Sequence, residues 1–199
     1  TAMETFTKLK QNNVFVVPTL HIGGVLSYLD EVDHSKDTYL QFMSPGIQKT
    51  YQGRIDRVKN ASKKQVTDRK ALDQFFGQLA FKLNNNGVSL LAGSDSGAYN
   101  SYTYPGISLH KELEAMVAIG ISPLDALRAS AYNGAKFLKK SDDYGTISKG
   151  KIADIVLLNS NPLVDIKQTK NIFMVLTNGV IYTDTSLENL LKPIANHIK

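Results

Sequence analysis

Two continuous apolar runs place the strongest constraint on what this chain can fold into. One run is Val14 to Leu20 and the other is Val88 to Gly93, and turn-forming polar residues follow each of them. A strand that is apolar on both faces belongs in a parallel sheet covered by helices. The residues between the two runs are polar and mostly helical in pattern. We therefore predict consecutive units of a parallel α/β fold.

The pattern changes in the last quarter of the chain, where short strands and turns replace helices. Asn178 and Gly179 stand between two apolar runs and predict a β-hairpin, because both central residues of a type I′ turn have positive φ. We expect a main region over residues 1–144, a β subdomain over 145–185 and a terminal helix over 186–199. The expected cap of that helix is Ser186, and Asp154 is expected to anchor the subdomain.

One helix of the main region has a well-defined start. Ser122 is followed by Pro123 and, three positions after the cap, by the carboxylate of Asp125. The apolar spacing then predicts one helix that continues to Lys140.

Composition excludes some functions. The chain has no cysteine, so it can form neither disulfides nor thiolate metal sites, and a metal must be held by histidine, carboxylate or a modified lysine. It has no run of about 18 apolar residues that could cross a membrane. We predict no membrane and no nucleic-acid partner, and the cellular compartment stays undecided.

The net charge of +5 comes from one stretch, residues 49–70, which has eight basic side chains and two acidic ones. No interleaved aromatic or glycine-rich pattern typical of nucleic-acid binding accompanies it. A solvated helical face is the simpler interpretation, and a surface for an anionic partner is the other.

Asp95 is the first candidate for chemistry. It comes directly after the second apolar run, between Gly93 and Gly97. The carboxyl ends of parallel strands are where α/β proteins build their sites, so a carboxylate there can bind a metal or move a proton. An aspartate that only caps its own loop is the alternative.

A longer series of motifs resembles the closing segment of the amidohydrolase superfamily, and in particular its imidazolonepropionase-like and Xaa-Pro-dipeptidase-like branches. The order of the motifs is more specific than any one of them. They are Val16 to Leu20, Gly93 to Gly97, Ser108 to Leu113, Ala118 to Leu127, Gly145 to Asn159, and Asn161 with Pro162.

The resemblance implies the C-terminal fragment of a (β/α)8 metal-dependent hydrolase barrel, joined to the C-terminal half of a small β-sandwich. In such barrels one or two divalent ions, most often zinc, are held by a His-X-His pair, other ligands and an aspartate that ends strand eight. Asp95 matches that aspartate, as catalytic residue and metal ligand. None of the four histidines, His21, His34, His110 and His197, stands in a His-X-His pair.

The same resemblance implies hydrolysis of a carbon–nitrogen bond in an amide, a cyclic amide or a dipeptide-like substrate. The strand-eight aspartate would accept a proton from water and pass it to the leaving nitrogen. Candidate substrate contacts are His21, Ser96, Tyr99 and Tyr102. A polar loop histidine, a structural hydrogen bond for His110 and simple packing of the tyrosines are the alternatives.

Two expectations concern the association and the activity of the isolated chain. Barrel strands without the others leave sheet edges and apolar faces open, so we expect the chain to oligomerise or to associate with a missing N-terminal half. We also expect the isolated chain to be inactive. The alternative function is a non-catalytic binding or scaffolding module that uses residues 49–70.

Overall fold

The computed structural model describes residues 1–97 and 99–197. The main region contains the following elements, in chain order: α1 (Ala2–Gln11), β1 (Phe15–Val16), α2 (Leu20–Ser27), two 3-10 helices (His34–Lys36 and Thr38–Phe42), α3 (Pro45–Lys59), α4 (Lys63–Asn85), β2 (Ser89–Leu90), α5 (Ile107–Ala118), α6 (Pro123–Ser130) and α7 (Tyr132–Phe137). The remaining elements are β3 (Ile155–Leu158), a 3-10 helix (Ile166–Lys170), β4 (Ile172–Thr177), β5 (Val180–Thr183) and α8 (Asp184–His197).

The two apolar runs form the predicted parallel pair. Phe15 lies opposite Ser89 and Val16 lies opposite Leu90. This pairing confirms the α/β class, whereas the barrel and the half-sandwich stay predictions. Each strand is shorter than its apolar run, and α2 already begins at Leu20.

Local sequence signals account for the long helix α4. Its start is a capping box, in which the Ser62 hydroxyl accepts the N–H of Gln65 and the Gln65 amide oxygen accepts the N–H of Ser62. Its end follows the Asn-Asn-Asn-Gly sequence, with Gly87 at a φ of +77°. Leu83 of this helix is buried in the main core together with Leu113 and Met116 of α5.

The edge of β2 is covered by the helices that follow it. The N–H of Ala92 donates to the carbonyl of Ala129 at 3.1 Å, and the amide of Asn133 donates to the carbonyl of Leu90 at 2.8 Å. The predicted single helix from Ser122 to Lys140 is wrong, because the helix breaks at Ala131. Ala129, which bonds to Ala92, lies before the break, and Asn133, which bonds to Leu90, lies after it.

The β3, β4 and β5 strands form an antiparallel sheet in the order of the chain. The predicted hairpin turn is present, with positive φ at both Asn178 and Gly179. Asp154 accepts a hydrogen bond from the Thr177 hydroxyl at 2.7 Å, so it does anchor this hairpin. The terminal helix begins at Asp184, earlier than predicted, and the Thr183 hydroxyl accepts the N–H of Ser186.

The β subdomain packs on the main core through the 3-10 helix Ile166–Lys170. Ile166 is buried in the same apolar cluster as Leu113. His110 of α5 shares a 3.0 Å hydrogen bond with the Thr169 hydroxyl, which matches the structural alternative for this histidine.

The basic stretch lies on α3 and α4, and part of its charge is used inside the molecule. Arg69 forms an ion pair with Asp30 at 2.8 Å, and Lys70 pairs with Glu31. Within the ranges that the structure describes, no helix is both long enough and apolar enough to cross a membrane.

Candidate functional site

The carboxyl ends of β1 and β2 lie side by side, as the sequence predicts. The N–H of Leu91 donates to the carbonyl of Val16 at 2.9 Å, which keeps the two segments together at the end of the strands. Just beyond this bond the two segments are in close contact. A Cβ atom added at Gly93 would lie 2.6 Å from Cγ1 of Val17, so a larger residue here would force the Val17 side chain or the backbone to move.

Left-handed backbone occurs in the segments that follow both strands. Thr19 has a φ of +47°, Asp95 a φ of +48° and Tyr102 a φ of +61°. Side chains with a Cβ disfavour this region, and a β-branched threonine most strongly. Such strain can mark functional sites, and two of these residues, Thr19 and Asp95, lie just past the carboxyl ends of β1 and β2.

Asp95 lies in the exposed turn after β2. Its backbone carbonyl accepts a hydrogen bond from the Asn100 side chain, which links the two ends of the turn. Its left-handed φ is one that aspartate tolerates better than most residues. The turn therefore presents the carboxylate to solvent at the carboxyl end of the parallel pair.

The neighbouring Ser96 and Tyr99 have different surroundings. The hydroxyl of Ser96 is buried and has no hydrogen-bond partner in the described part of the chain. Tyr99 points to solvent, with 78% of its surface exposed. The structure therefore brings Ser96 into the turn and leaves Tyr99 outside it.

The described residues do not bring a complete metal site together. No three His, Asp or Glu side chains among the described residues lie close enough together to hold an ion. A structural zinc site has four ligands and a catalytic one has three from the protein. Asp95 fits as a single carboxylate ligand, and the rest of the set is not assembled around it.

His21, the second candidate, is held in place by a glutamate that the sequence analysis does not identify. Glu112 of α5 is fully buried and accepts the backbone N–H of His21 at 2.7 Å and that of Leu20 at 3.0 Å. These are N–H groups of the first turn of α2. Thr19, which precedes the helix, makes no side-chain cap. Glu112, although it belongs to α5, thus caps the start of α2 in place of Thr19.

Burial and hydrogen bonding act on the Glu112 carboxyl in opposite directions. Burial raises the pKa of Glu112, while the hydrogen bonds from His21 and Leu20 act to lower it. Both oxygens accept an N–H, and a protonated carboxyl would turn one of them into a donor. This geometry favours the carboxylate form at neutral pH.

The imidazole of His21 is partly buried next to a positive charge. Burial, and then the charge of Lys111, lower the pKa of His21 below its ordinary value of 6.5. The ring is therefore neutral at pH 7 and can either donate or accept a hydrogen bond.

His21 and Tyr102 line the same cavity of about 350 Å³, which we call the His34 cavity. It lies between α2, the 3-10 segments and the start of α5. Asp95, Ser96 and Tyr99 do not line it. The structure thus brings two of the four predicted substrate contacts, His21 and Tyr102, together in a cavity that the predicted catalytic carboxylate, Asp95, does not line.

A buried polar network forms one wall of this cavity. His34 Nδ1 and the Tyr104 hydroxyl share Oδ2 of Asp37, at 3.0 and 2.8 Å. The His34 ring stacks on Tyr102 with centroids 4.2 Å apart, and Tyr102 also contacts Tyr51. Burial, then the bond to Asp37, raise the pKa of Tyr104, so its hydroxyl stays a donor. Sequence patterns carry no signal for this network, because its members come from separate loops and helices.

A larger cavity of about 720 Å³ lies at the other end of β2, lined in part by Arg128, Asn133 and Lys136. None of the predicted site residues lines it. Its size alone does not make it the functional site, since the strained backbone and the candidate carboxylate are at the opposite end of the strand.

Comparison with protein families supports the resemblance drawn from the motifs. The model of the Amidohydrolase family matches residues 78–182, which include α5, α6, β3, β4 and all but the last residue of β5. The match takes in Asp95 and Glu112. No curated protein matches the sequence significantly.

Solved structures share the fold at low identity. An Xaa-Pro dipeptidase with bound methionine has a TM-score of 0.65 and 20% identity, over 90% of this chain and 37% of its own. A bottromycin amidohydrolase has a TM-score of 0.71 and 22% identity, over 93% and 40%. A putative prolidase from Bifidobacterium longum has a TM-score of 0.62 and 22% identity, over 91% and 39%. This chain therefore spans well under half the length of these proteins.

Proposed function

Because this chain belongs to the amidohydrolase family, we propose that it is part of a hydrolase of amide-type carbon–nitrogen bonds, with a small cyclic amide or a dipeptide-like molecule as substrate. The observation that carries the proposal is the position of Asp95, in a left-handed turn at the carboxyl end of β2 and next to the end of β1. A carboxylate there is exposed and set at the edge where parallel folds build their sites.

In this proposal Asp95 moves protons. Its carboxylate accepts a proton from the water that attacks the carbonyl carbon and then donates it to the departing nitrogen. The hydrogen bond from the Asn100 side chain to the Asp95 carbonyl fixes the backbone from which this carboxylate projects. Ser96, whose buried hydroxyl has no partner in the described ranges, is the nearest candidate for a contact with the substrate.

We propose a divalent metal, zinc being the expected ion, with Asp95 as one ligand. When bound, such an ion supplies an acidified water and polarises a carbonyl. The described residues provide no complete ligand set, so the other ligands must come from residues that this structure does not bring to Asp95. Association with a further polypeptide segment or a second copy is part of the same proposal.

The architecture that we propose for the whole hydrolase, of which this chain is a part, is a (β/α)8 barrel with a small β-sandwich. The parallel pair in the main region, residues 1–144, would supply two barrel strands. The sheet in residues 145–185 would supply half of the sandwich, followed by the terminal helix at 186–199. The separate parallel and antiparallel sheets support this division.

The test is Asp95→Asn in the active protein, with hydrolysis measured on a panel of N-acyl amino acids, dipeptides and cyclic amides in the presence of zinc. Asparagine keeps the shape and tolerates the left-handed φ, so the fold should persist while the rate falls by about 10²- to 10⁴-fold. The matched control is Asp142→Asn, at an exposed position, which should change neither.

Full activity of the Asp95→Asn protein on any substrate of the panel would contradict the proposed role. The alternative, a non-catalytic module that binds through residues 49–70, predicts no hydrolysis and no bound metal. Two basic side chains of this stretch, Arg69 and Lys70, form ion pairs with Asp30 and Glu31 inside the molecule. The structure therefore adds no observation in favour of the binding module.

A further inference from the structure

The loop that follows Asp95 is exposed in its first half and buried in its second. Asp95 and Tyr99 face solvent, whereas the residues from Ser101 to Tyr104 are each exposed by 7% or less. Loops usually run over the surface, where water satisfies their backbone groups. Contacts with the rest of the protein must therefore hold this second half inside.

These contacts come from α3 and from the segment that precedes it. Oδ2 of Asp37 accepts the hydroxyl of Tyr104, 67 positions away, at 2.8 Å and lies 3.0 Å from Nδ1 of His34. The ring of Tyr102 contacts the rings of His34 and Tyr51, with centroids 4.2 and 4.9 Å away. We call these five residues, His34, Asp37, Tyr51, Tyr102 and Tyr104, the loop anchor.

Two hydrogen bonds connect the loop anchor to the turn of Asp95. Thr103, which stands between the two anchored tyrosines, donates from its hydroxyl to the carbonyl of Asn100 at 2.7 Å. The side-chain amide of Asn100 donates in turn to the carbonyl of Asp95 at 2.5 Å. A displacement of the buried half of the loop is therefore passed to the backbone that carries the carboxylate.

The backbone is left-handed at both ends of this connection, with a φ of +48° at Asp95 and of +61° at Tyr102. A residue with a Cβ atom persists in this conformation only where the surrounding structure holds it. For Tyr102 that hold consists of the ring contacts with His34 and Tyr51, together with the bond from the nearby Tyr104. Without it, Tyr102 would relax to a more favourable φ, and the path of the loop would change.

We propose that Asp37 and Tyr104 are positioning residues of the proposed hydrolase: through the loop anchor they fix the direction in which the Asp95 carboxylate projects. Neither residue touches the substrate, and Tyr102 packs the loop instead of stacking on a substrate. The inference rests on the proposed function, because it requires Asp95 to move protons. It makes the catalytic turn dependent on residues 34–51, which lie outside the range 78–182 matched by the family model.

The first experiment is Tyr104→Phe in the active protein. This change removes the bond to Asp37 and keeps the ring, so the fold should persist. We expect kcat on the amide panel to fall about tenfold with KM nearly unchanged, because a displaced proton-transfer group costs rate and not substrate binding. The matched control is Tyr39→Phe, whose ring also contacts that of Tyr104, at 5.5 Å, but which is 39% exposed and takes no part in the bond to Asp37. It should leave kcat unchanged.

The same substitution in an Asp95→Asn background separates positioning from a general loosening of the fold. If Tyr104 acts through Asp95, then Tyr104→Phe should cause no further loss in the residual kcat of the Asp95→Asn protein, since the two effects are coupled. A loss of about tenfold in both backgrounds would show independent effects and overturn the proposal. Unchanged kcat in Tyr104→Phe alone would overturn it as well, even if Asp95→Asn abolishes hydrolysis.

Hydrogen exchange of the 199-residue chain tests the loop anchor without any activity. Amides of residues 99–106 should exchange faster in Tyr104→Phe and at the wild-type rate in Tyr39→Phe. If Tyr104→Phe does not fold, Asp37→Ala removes the same bond from the other side, at a side chain that is 29% exposed, and should give the same results. Unchanged exchange would refute the anchor. Full activity of Asp95→Asn would instead overturn the proposed function, and the positioning role with it, whatever the exchange shows.

Discussion

The two sheets of this molecule are stabilised in different ways. Around β1 and β2, polar side chains bridge segments far apart in sequence, such as Glu112 with His21, 91 residues away. In the β3–β5 sheet, neighbours along the chain pair with one another, and the faces stay open, with Phe173 at 55% and Ile181 at 58% exposure. A buried polar contact has no water to replace a lost partner, whereas an open sheet does. The first region should therefore be sensitive to single atoms and the second mainly to backbone conformation.

The largest expected effect is that of Glu112→Ala. The substitution leaves the part-buried N–H groups of Leu20 and His21 without their acceptor and opens a cavity at a fully buried side chain, so the free energy of unfolding should fall by about 2 to 5 kcal/mol. Urea unfolding followed by circular dichroism measures the change. The matched control is Glu188→Ala on the exposed surface of α8, where a change within about 0.5 kcal/mol is expected.

Glu112→Gln sharpens this prediction. Glutamine keeps the size but offers an NH₂ group to one of the two N–H donors, so its cost should lie between that of the control and that of Glu112→Ala. A Glu112→Gln protein as stable as the wild type would show that the cap from α5 does not support α2.

A smaller effect is expected in the hairpin of the second sheet. Gly179 has a φ of +75°, and Gly179→Val would force a β-branched residue into left-handed backbone at a cost of about 1 to 2 kcal/mol. Thermal unfolding is the measurement, and Asn178→Gly, which accepts positive φ freely, is the control. A loss in Gly179→Val as large as that in Glu112→Ala would remove the contrast between the two regions.

The smallest effect concerns pH and the contact between the two regions. Burial, and then the charge of Lys170, lower the pKa of His110 below its ordinary value of 6.5. The unfolded chain then binds the proton more readily, so stability is complete above about pH 6.5 and declines as the pH falls toward the folded-state pKa. One proton limits the slope to about 1.4 kcal/mol per pH unit.

His110→Gln should flatten this dependence, as seen in urea unfolding at pH 7.5 and at pH 5.5. A slope that remains is expected from His21, whose pKa is lowered in the same direction. An unchanged slope in His110→Gln would show that this histidine is not kept neutral by its contact with the last region.

Predictions from the sequence succeeded where the signal was local. The Ser122 cap accepts the N–H of Asp125 at 3.1 Å, and the Asn178-Gly179 hairpin has the expected turn. The helix predicted through Ala131 failed, because periodicity in the sequence does not contain the bonds that Ala129 makes to Ala92 and Asn133 makes to Leu90. The length of the strands was likewise overestimated: Val14 and Val17 flank β1 at 37% and 47% exposure, so an apolar run does not by itself mark a paired, buried strand.

The candidate site divides in the same way. Asp95 is a candidate from the sequence because it directly follows a buried strand, between two glycines, and matches a family motif, and its catalytic role stays a prediction. Glu112 could not, although it lies within the Ser108–Leu113 motif, since nothing local tells which backbone a buried carboxylate will cap. His34 and Tyr102 are 68 positions apart in number and meet only because two loops fold over the same helix ends.

By itself, the sequence determined the Asn178-Gly179 hairpin and the helix start at Ser122, because each rests on interactions within a few residues along the chain. Its two apolar runs also predicted the α/β class. Only the tertiary structure decided that Glu112 would hold the start of α2, and that His34, Asp37 and Tyr104 would form one wall of the His34 cavity. Those contacts join segments whose separation is set by the path of the whole chain. Their energy comes from excluding water around paired polar groups, a condition that exists only after the core has formed.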